Sequence, residues 1–177
     1  MPDRPLATDF PEGVMGIAAS DLRRHVIRPT LIYLGRHQPA AESFLLGVAA
    51  SQSALGAALN SHRGHGLYQI SAWRHRQLWD HYLCHDPDLA SQVRGLASQH
   101  AFLTGPHVEL TVNLRYSTAI AWLMVEASGA HLPAENDATA MARLWRQVFQ
   151  PQGRLRDFIT TWESKVRPLF EVSGAIS

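Results

Sequence analysis

Between Ala41 and Gly56 the chain reads Ala-Glu-Ser-Phe-Leu-Leu-Gly-Val-Ala-Ala-Ser-Gln-Ser-Ala-Leu-Gly. Leu45, Val48, Gln52 and Leu55 fall at i, i+3, i+7 and i+10, one stripe of a 3.6-residue period, which predicts a helix over about 39–56. Gln52 therefore falls on the face expected to be buried, where a lone amide costs stability unless it finds hydrogen-bond partners. A polar turn through 60–65 follows, then Gly66-Leu67-Tyr68-Gln69-Ile70, a short segment able to return over the helix end. Read from the residues alone, two outcomes stand level. One is a site built on a buried amide faced by Tyr68 and Gln69; the other is a satisfied core glutamine under a loop.

The remaining pattern is helical almost throughout. Ser20 or Asp21 is placed to cap a first helix over 21–34, with Pro29 kinking or splitting it and Gly35 as its stop. Ser71 is placed to cap a helix carrying Trp73, Leu78, Trp79 and Tyr82 and ending near Leu83 or Cys84. Asp86-Pro87 starts another helix, with Leu89, Val93 and Leu96 on its inner face. After the Gly105-Pro106 break, a long and largely apolar helix is expected over 107–127, stopped by Gly129. Asn136 or Asp137 caps the next, and Pro151-Gln152-Gly153 turns the chain into a last helix through Val166. Alternating strand patterns are nearly absent. The expected class is all-α, with at most a very small β excursion near 60–70, as one domain over 21–177 after an irregular arm over 1–20.

Composition narrows the function. The net charge of +1 and a single lysine, Lys165, argue against a strong electrostatic nucleic-acid binder. The longest apolar runs fall well short of the ~20 residues that cross a bilayer. Residues 1–13 carry no charged region leading into an apolar core, so no secretory signal is read there. Cys84 is the sole cysteine, which excludes an intrachain disulfide; beside His81 and His85 it lacks any nucleophile signature, and helix-end packing is its plainer role. Ten histidines invite a metal, and His81 with His85, or His62 with His65, are close in sequence. Without a His-Glu-x-x-His or Cys-x-x-Cys pattern, neither a metal nor any other cofactor is expected. The five tryptophans all fall in helical stripes, most of them core, with one or two left to stack on a ligand.

The 52–70 stretch resembles the signature of the lysozyme-like superfamily, in particular lytic transglycosylases, goose-type lysozymes and related phage proteins. Those carry an alanine-rich helix ending in Glu-Ser, a variable turn, and then Gly-Leu-(aromatic or Met)-Gln-Ile. Here Ser53, Gly66, Leu67, Tyr68, Gln69 and Ile70 match, while Gln52 stands where the family has its catalytic glutamate. Weaker echoes are Val112-Asn113-Leu114-Arg115-Tyr116, where the family often has Asn-Ile before a groove-lining helix, and the aromatic-rich 144–149.

The resemblance implies a lysozyme-like helical domain cleaving the MurNAc–GlcNAc linkage of peptidoglycan by hydrolysis or transglycosylation. It puts the general acid at Gln52 and substrate contacts at Ser53, Gly66, Tyr68, Gln69, Asn113 and Tyr116. A glutamine there keeps shape and hydrogen bonds but has no acidic proton, a loss of ~10²–10⁴-fold in rate. The chain as written is therefore expected to be inactive or crippled. A near-isosteric replacement and a natural pseudoenzyme both fit, the undisturbed remainder of the signature favouring the first. Glu42 is no substitute, since ten residues of helix is ~15 Å; Asp80 and Glu109 are merely available as a second carboxylate. The implied partner is a peptidoglycan strand met by a monomer made in the cytoplasm and delivered to the cell wall by lysis, virion or secretion system, with room for an inhibitor or immunity protein. The competing class is a non-catalytic glycan-binding or virion structural protein on the same fold.

Overall fold

The computed structural model of the chain describes residues 16–98 and 105–174. Most of the expected arm over 1–20 lies outside them. The first helix starts earlier than expected, α1 being Ala19–Leu22, with Ala18 at its cap and no side chain from Ser20 or Asp21 bonding there. A π-helical turn over Arg23–Ile27 then leads into α2, Arg28–Tyr33. Pro29 accounts for the wide turn: it has no N–H, and its ring would strike the carbonyl of His25 in a straight α-helix. Gly35, at φ +70°, ends the segment as expected.

α3, Pro39–Ser53, is the axis of the molecule, with Ala41 through Ala50 all buried. It stops short of Gly56 because Ala54 and Leu55 turn left-handed at φ 50° and 57°. Two-residue strands β1, Asn60–Ser61, and β2, Gly64–His65, pair antiparallel, the expected small β excursion. α4, Ala72–His81, is capped by Ser71, whose hydroxyl accepts from Arg74 N at 3.1 Å. It ends before Leu83, which opens a 3₁₀ turn. α5, Pro87–Leu96, is capped by Asp86 through Leu89 N.

The long helix expected over 107–127 is broken. A 3₁₀ turn, Pro106–Val108, runs into the single turn α6, Glu109–Val112, and α7, Leu114–Ala127, starts afresh. Asn113 makes the break: its backbone is extended at φ −118° and ψ 97°, and its Oδ1 accepts from Tyr116 N at 3.0 Å. Asparagine competes for backbone partners in this way, which makes it a better cap than an interior residue. α8, Ala138–Val148, is capped by Asp137; α9, Leu155–Lys165, and α10, Arg167–Gly174, complete the chain, α10 being one helix more than expected. The molecule is all-α apart from the hairpin, and among the described residues no helix is long and apolar enough to cross a membrane.

α3 packs on α7 and α9, α8 packs on α9, and α2, α4 and α5 surround α7. The α3–α9 contact is close because Gly47 has no side chain: a Cβ there would sit 2.5 Å from the Phe158 ring. Trp162 on α9 donates its indole N–H to Ser43 Oγ at 3.0 Å, and that hydroxyl donates to Glu135 O at 2.7 Å.

At the start of α3, Glu42 is 1% exposed and held by two arginines, Arg28 Nε at 2.7 Å and Arg23 Nε at 3.5 Å, with His37 Nε2 also at 3.5 Å. This carboxylate ties the π turn and α2 to α3, so it is a structural group, as its distance from Gln52 suggested. Glu42→Leu should leave the cations unpaired and lower unfolding stability by about 3 kcal/mol, at the lower end for a broken buried pair because Arg28 keeps solvent. Chemical denaturation followed by circular dichroism checks this.

Candidate functional site

Gln52 lies in the last turn of α3 and, like Ser51 before it, is partly exposed, whereas Ala41 to Ala50 are all buried. Its amide is held at both ends. Nε2 donates to Tyr68 O at 3.3 Å, and Oε1 accepts from Trp145 Nε1 at 3.3 Å. The reversed amide would set N–H against N–H and oxygen against oxygen, so the partners fix the orientation. Gln52 thus joins α3 to the 66–70 segment and to α8.

The turn after it is strained. Left-handed conformations cost non-glycine residues roughly 1–2 kcal/mol each, and Ala54 and Leu55 both adopt one. Ser53 holds the turn: its hydroxyl, fully buried, accepts from Gly56 N at 3.0 Å and donates to Leu67 O at 2.6 Å. From outside, Ile17 N donates to Leu55 O at 2.7 Å.

Gln69, 7% exposed and also left-handed at φ 52°, ties the hairpin loop together. Its Nε2 donates to Gly66 O at 2.8 Å and Leu59 O at 3.0 Å, while Oε1 accepts from Ser61 Oγ at 2.6 Å. Gly66 cannot be any other residue. At φ +76°, a Cβ would fall 1.7 Å from Leu110 O. Tyr68 is 0% exposed, and because Thr118 Oγ1 already donates to Leu114 O, the Tyr68 hydroxyl donates to Thr118 at 2.8 Å. Burial pushes its ionisation well above the ordinary tyrosine value.

Tyr68 and Gln69, expected to face Gln52 as substrate contacts, have their side chains turned inward by these bonds. Both are sealed, as are Ser53, Gly66 and Tyr116, and Asn113 is saturated. Asn113 Nδ2 donates to Leu96 O and to Glu109 Oε2, each at 2.7 Å. Of the six expected substrate contacts, only Tyr68 hydrogen-bonds to Gln52, through its backbone carbonyl, and all but Asn113 are buried. Of the two available carboxylates, Glu109 is buried on Asn113 and Ser98 N, and Asp80 is exposed on α4. Cys84 is exposed, its Sγ on Asp80 O, rather than packed. Among the described residues no cluster of three His, Cys, Asp or Glu could hold a metal.

The sequence reading missed a second polar cluster behind the hairpin. His75 on α4 is 1% exposed. Its Nε2 lies 2.7 Å from Tyr116 Oη, which accepts from Trp79 Nε1 at 3.0 Å, and its Nδ1 lies 2.9 Å from His107 Nδ1. One arrangement gives every proton an acceptor: Trp79 to Tyr116, Tyr116 to His75 Nε2, and His75 Nδ1–H to His107. The His65 ring stacks on His107 at 6.3 Å. Sequence spacing gave no hint of this, because the members lie 32 and 41 residues apart.

Burial, with the neighbouring charges of His107 and His65, pushes His75 down to about 4. Between that value and the ordinary ~6.5 the unfolded chain binds a proton that the folded chain refuses, so stability rises with pH and falls on acidification. From pH 6.5 down to 4, thermal unfolding should show a loss on the order of 3 kcal/mol from this residue, which His75→Gln should flatten.

Set against protein-family models, curated proteins and solved structures, the chain matches none of them.

Proposed function

We propose that this chain is a peptidoglycan-directed, lysozyme-like domain, a muramidase or lytic transglycosylase by design, in which Gln52 occupies the seat of the general acid and leaves the chain inactive as written. The observation that carries the reading is the setting of Gln52: the one polar residue of the α3 stripe to reach solvent, at a strained helix end, held between a carbonyl and an indole N–H.

A carboxylic acid in this seat would be tuned for proton donation. In its protonated form it presents the same pair as the amide, an O–H toward Tyr68 O and a C=O toward Trp145. Once ionised, it would push a negative oxygen against the Tyr68 carbonyl beside an apolar flank. Both effects favour the protonated form and raise the pKa, which is what a general acid working near neutral pH needs. Such a group protonates the glycosidic oxygen as the bond breaks through an oxocarbenium-like state. Glutamine preserves the geometry and lacks the proton.

The second reading, a natural glycan-binding or virion protein, draws on the same contacts, since an amide with one donor and one acceptor end satisfies both partners at any pH. The two part on one variant. As written, the protein should bind purified cell walls in a pull-down without clearing them. Gln52→Glu should clear them at a rate ~10²–10⁴-fold higher, with activity falling as pH rises through the pKa of the new carboxyl. A folded Gln52→Glu protein that binds walls and leaves them intact would put the non-catalytic reading in front.

A further inference from the structure

Two open grooves of about 440 and 560 Å³ lie along the outer side of α8. Ser128 and Gln147 border both, so the two grooves adjoin and together form a trough. Neither involves any residue described above as holding Gln52. The link to that site is one helical turn: Val148 lines the trough, three residues beyond Trp145, and the Arg74 guanidinium pins Val148 O.

The trough wall has a definite chemistry. Trp73 stands 65% exposed at its α4 edge, a large apolar ring left in water. Gln77, Ser128 and Gln147 add amide and hydroxyl groups able both to donate and to accept. Arg74 at one end and Arg143 at the other give the lining a positive sign, and among the described residues no carboxylate lines either groove. Each groove has the size that takes a small ligand, so the two in line suit an oligomer. An aromatic face, bifunctional polar groups and one sign of charge are what a carbohydrate bearing carboxylates would meet.

We infer that this trough is a binding site for an extended, carboxylate-bearing glycan strand, with Trp73 stacking on a sugar face and Arg143 pairing with a carboxylate. The inference deepens the cell-wall reading and rests on it, since it names how the strand is gripped beyond the reacting linkage. The trough accounts for the otherwise unsupported exposure of Trp73, and it fits an acidic strand better than a neutral one.

The test is calorimetric titration of the intact chain with an oligomer of alternating GlcNAc and MurNAc and with a neutral chitooligosaccharide of equal length. Trp73→Ala, at an exposed position that should leave the melting temperature unchanged, should weaken both ligands about tenfold. Arg143→Gln should weaken only the acidic oligomer and remove much of the salt dependence of its binding. Wild-type binding unaltered by both substitutions would overturn the trough and leave the Gln52 reading standing, since wall clearing by Gln52→Glu judges that reading separately. Binding of an acidic peptide in place of either oligomer, or of neither oligomer, would also overturn it; the last result together with an inactive Gln52→Glu protein would remove both.

Discussion

α3 is buried on every face from Ala41 to Ala50, and the rest of the molecule follows from that. A helix apolar all round cannot lie on a surface, so neighbours must cover each of its sides. α7 and α9 do this, and α2 with its π turn is tied on through Glu42. Beyond Ala50 the helix reaches solvent again in its last turn, and there the side chain on the buried stripe is Gln52. The position of the candidate site is thus a consequence of core packing, with Gln52 bonded on its flanks and reachable at its edge.

The strain around that end belongs to the same logic. Ala54, Leu55 and Gln69 are all left-handed without being glycine, and they cluster beside Gln52. Such outliers survive only where surrounding bonds over-determine them. Here the Ser53 hydroxyl and the Gln69 amide supply those bonds, using short distances to Leu67 O, Gly66 O and Ser61 Oγ. The residues expected to touch a ligand instead fix the path of the backbone that presents Tyr68 O to Gln52. That carbonyl, rather than the Tyr68 ring, is what the segment contributes to the site.

Local chemistry was legible in the sequence. Ser71, Asp86 and Asp137 each cap the helix they were expected to cap, because capping needs only a side-chain oxygen and a nearby amide N–H. Gly35 and Gly129 stop helices at positive φ for a similarly local reason. The hairpin near 60–70 and the all-α class follow from the same kind of pattern. What was not legible came from long-range contacts. Asn113 reads as one residue in an apolar helical run, yet Leu96 O and buried Glu109 hold it as a cap. Tyr68 reads as a cleft residue until Thr118, fifty positions away, takes its hydroxyl inside. The end of α3 at Ser53 depends on a hydroxyl reaching Leu67, which no propensity encodes.

If residue 52 is the seat of a general acid, it must favour a neutral, proton-bearing group, and Tyr68 O facing it is the contact that would do so. The most direct measurement is a ¹³C-carboxyl NMR titration of the glutamate introduced by Gln52→Glu. A general acid in this seat requires a midpoint well above the ordinary glutamate value of about 4.3, and a further upward move when Trp145→Phe is added, since the indole N–H favours the ionised form. A midpoint at or below about 4.3 would mean that the seat stabilises a carboxylate, and the general-acid account would be contradicted.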